Sequence, residues 1–187
     1  MKDEISLEWE KLARTVGDDF KIFSVYRQDA IHRASGRRGQ FTVVDSPDWV
    51  NVIPITADEE VIFVRQYRHG TGEISLEIPG GLVDPGESFL DAGLRELTEE
   101  TGYVSEHASL MSIIEPNPAF MNNRCGLIIA YPVSPTGQQE LDTNEVIEVV
   151  RYPLNEVSKL IANGVIRHTL VISAFYMLEH MDWRRQK

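Results

Sequence analysis

Residues 81–103, GLVDPGESFLDAGLRELTEETGY, constrain this chain more than any other stretch. A glycine turn leads into a helix crowded with carboxylates. Six acids (Asp84, Glu87, Asp91, Glu96, Glu99, Glu100) accompany one base, Arg95, so the stretch holds −5 of the chain's net −11. Acids suit a helix N-terminus, where the macrodipole is positive, and are disfavoured in the last turn. Yet Glu96, Glu99 and Glu100 stand just before Thr101-Gly102, a C-terminal stop signal. Negative charge at the negative end of a helix needs a positive partner. A hard divalent cation, Mg²⁺ or Mn²⁺, prefers oxygen ligands and fits that need.

The spacing agrees. Glu96 and Glu100 are i,i+4 and project from one helix face. Arg95 and Glu99 share the same spacing one position round and can pair. Glu87, in the Gly86-Glu87-Ser88 turn, can reach back to Arg95. Pro79-Gly80-Gly81 leaves bare backbone close by, so a carbonyl can join the ligands. The plainer reading of such a charge run is a solvated acidic helix face.

The order of these residues resembles the Nudix box, G-x5-E-x7-R-E-U-x-E-E-x-G-U. Gly81, Glu87, Arg95, Glu96, Leu97, Glu99, Glu100 and Gly102 match. Tyr103 departs from the aliphatic residue usual at the end, with Val104 just after. The resemblance implies a metal-dependent hydrolase of nucleoside diphosphates linked to another moiety. It also implies an α/β fold: the Nudix α/β/α sandwich with a mixed sheet.

Composition narrows the rest. At 187 residues the chain makes one domain, or one domain with a small appendage. A pI near 4.9 argues against broad nucleic-acid binding, which needs a basic surface. The start, MKDEISLEWEKLARTV, is too polar for a signal peptide, and no apolar run approaches ~18 residues. A single cysteine, Cys125, permits no internal disulfide. A cytoplasmic location without membrane contact follows. Cys125 adjoins the apolar run GLIIAYPV and reads as a buried, inert thiol.

Along the chain, FKIFSVYRQDAI and QFTVVD read as a hairpin around the turn HRASGRRG, with a third strand near Trp9–Val16. So small a sheet is marginal alone and must pack on something else. Residues 1–47 are read as this N-terminal antiparallel β-segment, and 48–187 as the main domain. There VNVIPIT and VIFVRQYR are strands split at Ala57–Glu60. EISLEIPGG runs into the acidic helix, Ser88 to Thr101. SLMSIIEP, CGLIIAYPV and EVIEVVRYPL are later strands. Leu154–Ala162 is a short helix and His168–Met181 a closing one. Strands without regular βαβ alternation predict helices on both faces of a mixed sheet.

Residues flanking the box resemble the ADP-ribose pyrophosphatase and nucleoside diphosphate sugar hydrolase branch. Pro118 stands 15 residues after Tyr103. The runs VRQYRHG…SLEIPGG and NEVIEVVRYPLNEVSKLIANGVIRHTLVISAF are similar to that branch. The branch implies a homodimer through the N-terminal β-segment, here residues 1–47. Strand alternation sends Arg65 and Arg68 to opposite faces, so one arginine enters a given pocket. By resemblance Arg68 meets the diphosphate or terminal ribose and Glu77 a ribose hydroxyl; surface salt bridges are the alternative, above all for Arg65. Trp49 either stacks on a base or packs at the domain junction. Pro118, Phe120 and Arg124 stand where a substrate-lining loop is expected, Arg124 for a phosphate, with Phe120 alternatively core. Arg27, Arg37 and Arg38 could reach a partner's site. The five histidines show no metal-ligand spacing. His168 caps the last helix or lines the pocket, and is structural by default.

The resemblance implies water attack on a phosphorus of a P–O–P bond, assisted by Mg²⁺ (or Mn²⁺). Glu96, Glu100 and the Gly80 carbonyl are the expected ligands, Glu99 direct or behind them. Glu87 and Arg95 hold the loop-helix geometry. The general base is expected in GQQELDTNEV: Glu145 first, Glu140 second, Asp142 third. ADP-ribose would give AMP and ribose 5-phosphate, with GDP-mannose and other sugars as further substrates. Dinucleoside polyphosphate hydrolysis, decapping, isoprenoid diphosphate isomerisation and a non-catalytic nucleotide-sugar sensor are the alternatives.

Overall fold

The structure, a computed structural model, describes residues 6–183. Residues 1–5 of the N-terminal segment lie outside the described residues. The chain divides into two units, one running to Pro47 with Glu115–Asn123, the other comprising Asp48–Ile114 and Arg124 onward.

The first unit is a three-stranded antiparallel sheet of β1 (Trp9–Phe20), β2 (Phe23–His32) and β3 (Arg38–Asp45), with β2 central. The sequence predicts one strand over FKIFSVYRQDAI. Instead Lys21-Ile22 form a turn that splits it, and the third strand extends to Phe20. Phe20 and Phe23 pair across that turn with centroids 4.9 Å apart, an aromatic contact that closes the hairpin. The segment after Glu115 joins this unit through a bridge between Val44 and Met121, and Asn122 donates to Asp45.

The second unit is a mixed sheet. Its main path runs β11 (Ile147–Pro153), β5 (Glu60–Arg68), β4 (Trp49–Thr56), β10 (Cys125–Pro135), β8 (Tyr103–Val104). β4 and β10 are parallel, while β5 pairs antiparallel with β11 and with β6 (Glu73–Glu77). β7 (Gly80–Leu82) lies on β4, and β9 (Ala108–Ile114) on β10.

Side-chain alternation divides these strands between two cores. Val50, Val52, Ile62, Ile128 and Ala130 pack with Ala92 and Leu97 of α1 (Phe89–Thr101). Ile53, Ile55, Phe63, Leu127 and Ile129 pack on the other face. There they meet Val157 of α2 (Val157–Ala162) and Val171, Ala174 and Phe175 of α3 (Thr169–Glu179). Apolar side chains on both faces explain why β4, β5 and β10 read as continuous hydrophobic runs. The result is the expected α/β/α sandwich. Among the described residues no helix is long and apolar enough to cross a membrane.

Candidate active site

The site grows from the entry to α1. Ser88 caps the helix, accepting from the Asp91 N–H, while the Ser88 hydroxyl donates to the Asp91 carboxylate. Such a cap contributes about 1 kcal/mol. At the other end Gly102 adopts φ 68°, the left-handed conformation that glycine takes without a Cβ penalty, and its N–H closes on the Thr98 carbonyl. Both caps agree with the sequence.

Arg95 gathers the acids around it. It donates to both Glu87 oxygens at 3.1 Å, to Glu96 at 2.8 Å, to Glu99 at 3.0 Å and to the Leu82 carbonyl at 3.0 Å. These bonds join the Glu87 turn, the end of β7 and one face of α1 in a single network. The Arg95 bonds hold Glu87 below the usual carboxylate range. Gly81 stands where a Cβ would lie 2.4 Å from Glu96 Oε1, so a bare backbone lets that carboxylate settle against β7.

Glu96 and Glu100 share the inner face of α1, as their spacing requires. Glu100 is 4 % exposed and accepts from the Gly80 N–H at 3.0 Å. Burial pushes its carboxyl up to about 8, reinforced by the charges of Glu96 and Glu145 and only partly offset by Gly80. Burial also raises Glu96, against the pull of Arg95.

Beside them lies a second charged group. Glu77, 1 % exposed, takes a two-pronged bond from Arg68 at 2.9 and 2.7 Å. Burial alone would raise the Glu77 carboxyl, but Arg68 and then His168 more than cancel it and hold it low. His168 lies at the N-terminus of α3 without capping it. Its Nε2 stands 4.0 Å from Glu77 Oε2 instead, because the ring turns to the buried carboxylate.

The loop between β10 and β11 completes the surroundings. Within it Glu145 Oε2 accepts from the Asp142 N–H, and the Glu145 N–H donates to the Asp142 carbonyl. Of the three loop acids, Glu145 alone figures among the principal charges acting on Glu96, Glu100 and Arg68. Glu140 is bound by its backbone, its N–H donating to the Glu99 carbonyl at 2.8 Å.

Other residues marked in the sequence have partners of their own. Arg65 sits directly across from Glu148 on β11 and pairs with it at 2.8 Å in an exposed salt bridge. Arg124 forks onto Asp48 at 2.6 and 3.1 Å and lies 5.3 Å from the Phe89 ring centroid. Trp49 is half-buried against the α3-side core. Pro118 and an exposed Phe120 belong to the first unit, as do Arg27, Arg37 and Arg38. Cys125 is fully buried, and desolvation pushes its thiol up to about 12. The sequence left Gln139 unmarked, since a glutamine in a polar loop carries no local signal.

Among the described residues no three acidic, histidine or cysteine side chains converge tightly enough to hold a bare ion. Glu96 is drawn to Arg95 and Glu100 to the Gly80 N–H. The donor set nonetheless suits a hard divalent cation. Its ligands are all oxygen, and burial disfavours ionisation of both Glu100 and half-buried Glu96, a cost that a cation between them would offset.

The NUDIX domain family model matches residues 46–175. The ADP-ribose pyrophosphatase of Bacillus subtilis (strain 168) is 29 % identical over 157 residues, covering 83 % of this chain and 84 % of that one. The ADP compounds hydrolase NudE of Escherichia coli (strain K12) is 29 % identical over 134 residues, covering 72 % and 70 %. A crystal structure of an ADP compounds hydrolase superposes with TM-score 0.85 at 24 % identity, covering 98 % of this chain and 97 % of that chain. The box network of Arg95, the sandwich that carries it and the match over 46–175 together place the chain in the Nudix family of pyrophosphohydrolases.

Proposed function

We propose that this protein hydrolyses the diphosphate of ADP-linked sugars, ADP-ribose first, giving AMP and ribose 5-phosphate, with GDP-mannose or other sugar nucleotides as secondary substrates. One observation carries the reading. Buried Glu100 lies within the electrostatic reach of both Arg68 and Glu145, and half-buried Glu96 within that of Glu145. A diphosphate needs the Glu96 and Glu100 carboxylates for its cation, an arginine for its oxygens and a free carboxylate for the attacking water. The names borne by the Bacillus and Escherichia relatives favour an ADP moiety.

Glu96, Glu100 and the Gly80 carbonyl would hold Mg²⁺ (or Mn²⁺), with Glu99 beside or behind them. When bound, the ion supplies Lewis-acid polarisation of the diphosphate and lowers the pKa of its water. Arg95 and Glu87 keep β7 and α1 in register so that both ligands face inward. Arg68 is oriented by Glu77 through Nε and Nη2, which turns Nη1 to a phosphate oxygen or the terminal ribose. Glu145 keeps Oε2 on Asp142 N–H and accepts the water proton at Oε1 as the water oxygen bonds to phosphorus. The P–O bond to the departing phosphate then breaks. Glu140 and Asp142 are the reserve candidates for this proton.

We further propose a homodimer through residues 1–47. Every residue of β1 is exposed, including Leu12, Val16 and Phe20, a surface that a second copy would cover. Light scattering of the full chain against one truncated before Asp48 tests this. Partners are otherwise the sugar nucleotide alone, without nucleic acid or membrane, in the cytoplasm.

The activity test is a panel of ADP-ribose, GDP-mannose, UDP-glucose and diadenosine polyphosphates with Mg²⁺ or Mn²⁺. AMP released from ADP-ribose at the highest kcat/KM is the expected result. A preference for diadenosine polyphosphates, or binding without turnover, overturns it. Glu145→Gln should lower kcat by about 10²–10⁴-fold with KM nearly unchanged.

A further inference from the structure

The last carbonyls of a helix have no partner within the helix and must find donors elsewhere. In α1 these donors come in sequence order from the loop that carries Glu145. The Gly102 carbonyl accepts from the Thr136 N–H at 2.7 Å and from its hydroxyl at 2.9 Å. The Glu99 carbonyl accepts from the Glu140 N–H at 2.8 Å. The Glu100 carbonyl accepts from Gln139 Nε2 at 2.5 Å, and the same amide nitrogen donates to the Ile147 carbonyl at 3.3 Å. Gln139 therefore ties the last turn of α1, at a residue whose side chain faces the site, to the first residue of β11. The segment 140–146, with Glu145 in it, is the span between those two attachments.

Two features make this clasp specific to an amide. A primary amide carries two N–H donors on one nitrogen, and both targets are carbonyls. The helix end is also negative, so a donor is favoured there and a carboxylate is not. Glu145 is exposed and held otherwise by a short turn with Asp142, so the closure of its loop depends on what anchors the flanks. The Gly102 surroundings support the same close seating: a Cβ there would lie 2.9 Å from the Gln138 carbonyl oxygen.

We propose that Gln139 is a positioning residue for the hydrolytic step: its side-chain amide clasps α1 to β11 and thereby fixes Glu145 over the Glu96–Glu100 face. The inference rests on Glu145 acting as the base. Displacing a catalytic group by about 1 Å costs on the order of 10²-fold in rate. Gln139→Ala should therefore lower kcat by roughly 10–100-fold and leave KM within about twofold. Gln139→Glu, which removes both donors and adds a charge at the negative helix end, should be at least as slow as the alanine variant.

The deciding experiment is a double-mutant cycle of Gln139→Ala with Glu145→Gln, read in kcat with ADP-ribose and Mg²⁺. If Gln139 acts through Glu145, the double variant is no slower than Glu145→Gln alone. Amide exchange at Glu140 and at 145–147 should also rise in Gln139→Ala while the middle of α1 keeps its protection. Multiplying effects in the cycle would overturn the proposal, because Gln139 would then act through the helix or its metal ligands. So would unchanged kcat in Gln139→Ala beside a slow Glu145→Gln, an outcome that leaves the base assignment standing. Full activity in Glu145→Gln would remove the base assignment and the positioning role with it.

Discussion

Glu100→Gln should stabilise the metal-free protein and abolish its turnover. The carboxyl is 4 % exposed and its folded pKa is raised from 4.5 to about 8. A raised acid means the folded state binds the proton more tightly than the unfolded state. Stability from this group is therefore fully present below pH 4.5 and is lost as pH climbs towards about 8. At about 1.4 kcal/mol per pH unit the interval sets a ceiling of about 5 kcal/mol. Water entry and side-chain relaxation leave an expected 2–3 kcal/mol, roughly. Glutamine keeps the bond from the Gly80 N–H and has no charge to desolvate. In a chain of 187 residues, roughly 2–4 °C accompany each kcal/mol. Thermal melts in EDTA should put the variant about 5–10 °C above wild type at pH 8.5 and level with it near pH 4.5. Added Mg²⁺ should raise the wild-type melt at pH 8.5 and leave the variant nearly unmoved, while turnover falls by about two orders of magnitude or more. Parallel pH slopes in the two proteins would refute the reasoning, since Glu100 would then be hydrated and free of strain.

Two further substitutions separate the remaining interactions. Arg68→Ala leaves Glu77 buried without its forked partner and should cost about 3 kcal/mol in urea titration at pH 7. Glu77 is held below its ordinary value, so its stabilisation is present above pH 4.5 and fades as pH falls through the lowered value; that acid limb should vanish in Arg68→Ala. Gly81→Ala puts a methyl into the Glu96 carboxylate and should lower kcat by about tenfold or more, with a melting change of only a few degrees. Unchanged kcat there would mean that Glu96 need not rest against β7.

Much of the site was legible because its parts are local. The i,i+4 spacing of Glu96 with Glu100, and of Arg95 with Glu99, needs only helical geometry. Ser88 and Gly102 mark where the helix begins and ends. The Arg65 and Arg68 alternation followed from the two-residue period of a strand, while their ion-pair partners, Glu148 on β11 and Glu77 on β6, belong to strands that the local pattern does not name. Misreadings came where something other than strand periodicity decided the outcome. The Lys21-Ile22 turn, with Phe20 and Phe23 paired across it, split one predicted strand into a hairpin. For His168 the sequence left a cap or a pocket-lining role open; its ring makes no capping bond and stands 4.0 Å from the buried Glu77 carboxylate.

By itself, then, the sequence determined the chemistry of the box: a helix whose inner face carries two carboxylates, a guanidinium that binds their neighbours and bare glycine backbone close by. Those facts rest on spacing within 23 residues and on backbone geometry common to all helices. Only the tertiary structure decided how deeply Glu100 is buried, that Arg68 and Glu77 form one unit, and that Glu145 is the loop acid whose charge acts on Glu96, Glu100 and Arg68. It also decided that Gln139 ties the loop to the helix. These depend on strand register and loop closure across 8–39 residues of chain, where desolvation and pairing are set by neighbours that no local pattern encodes.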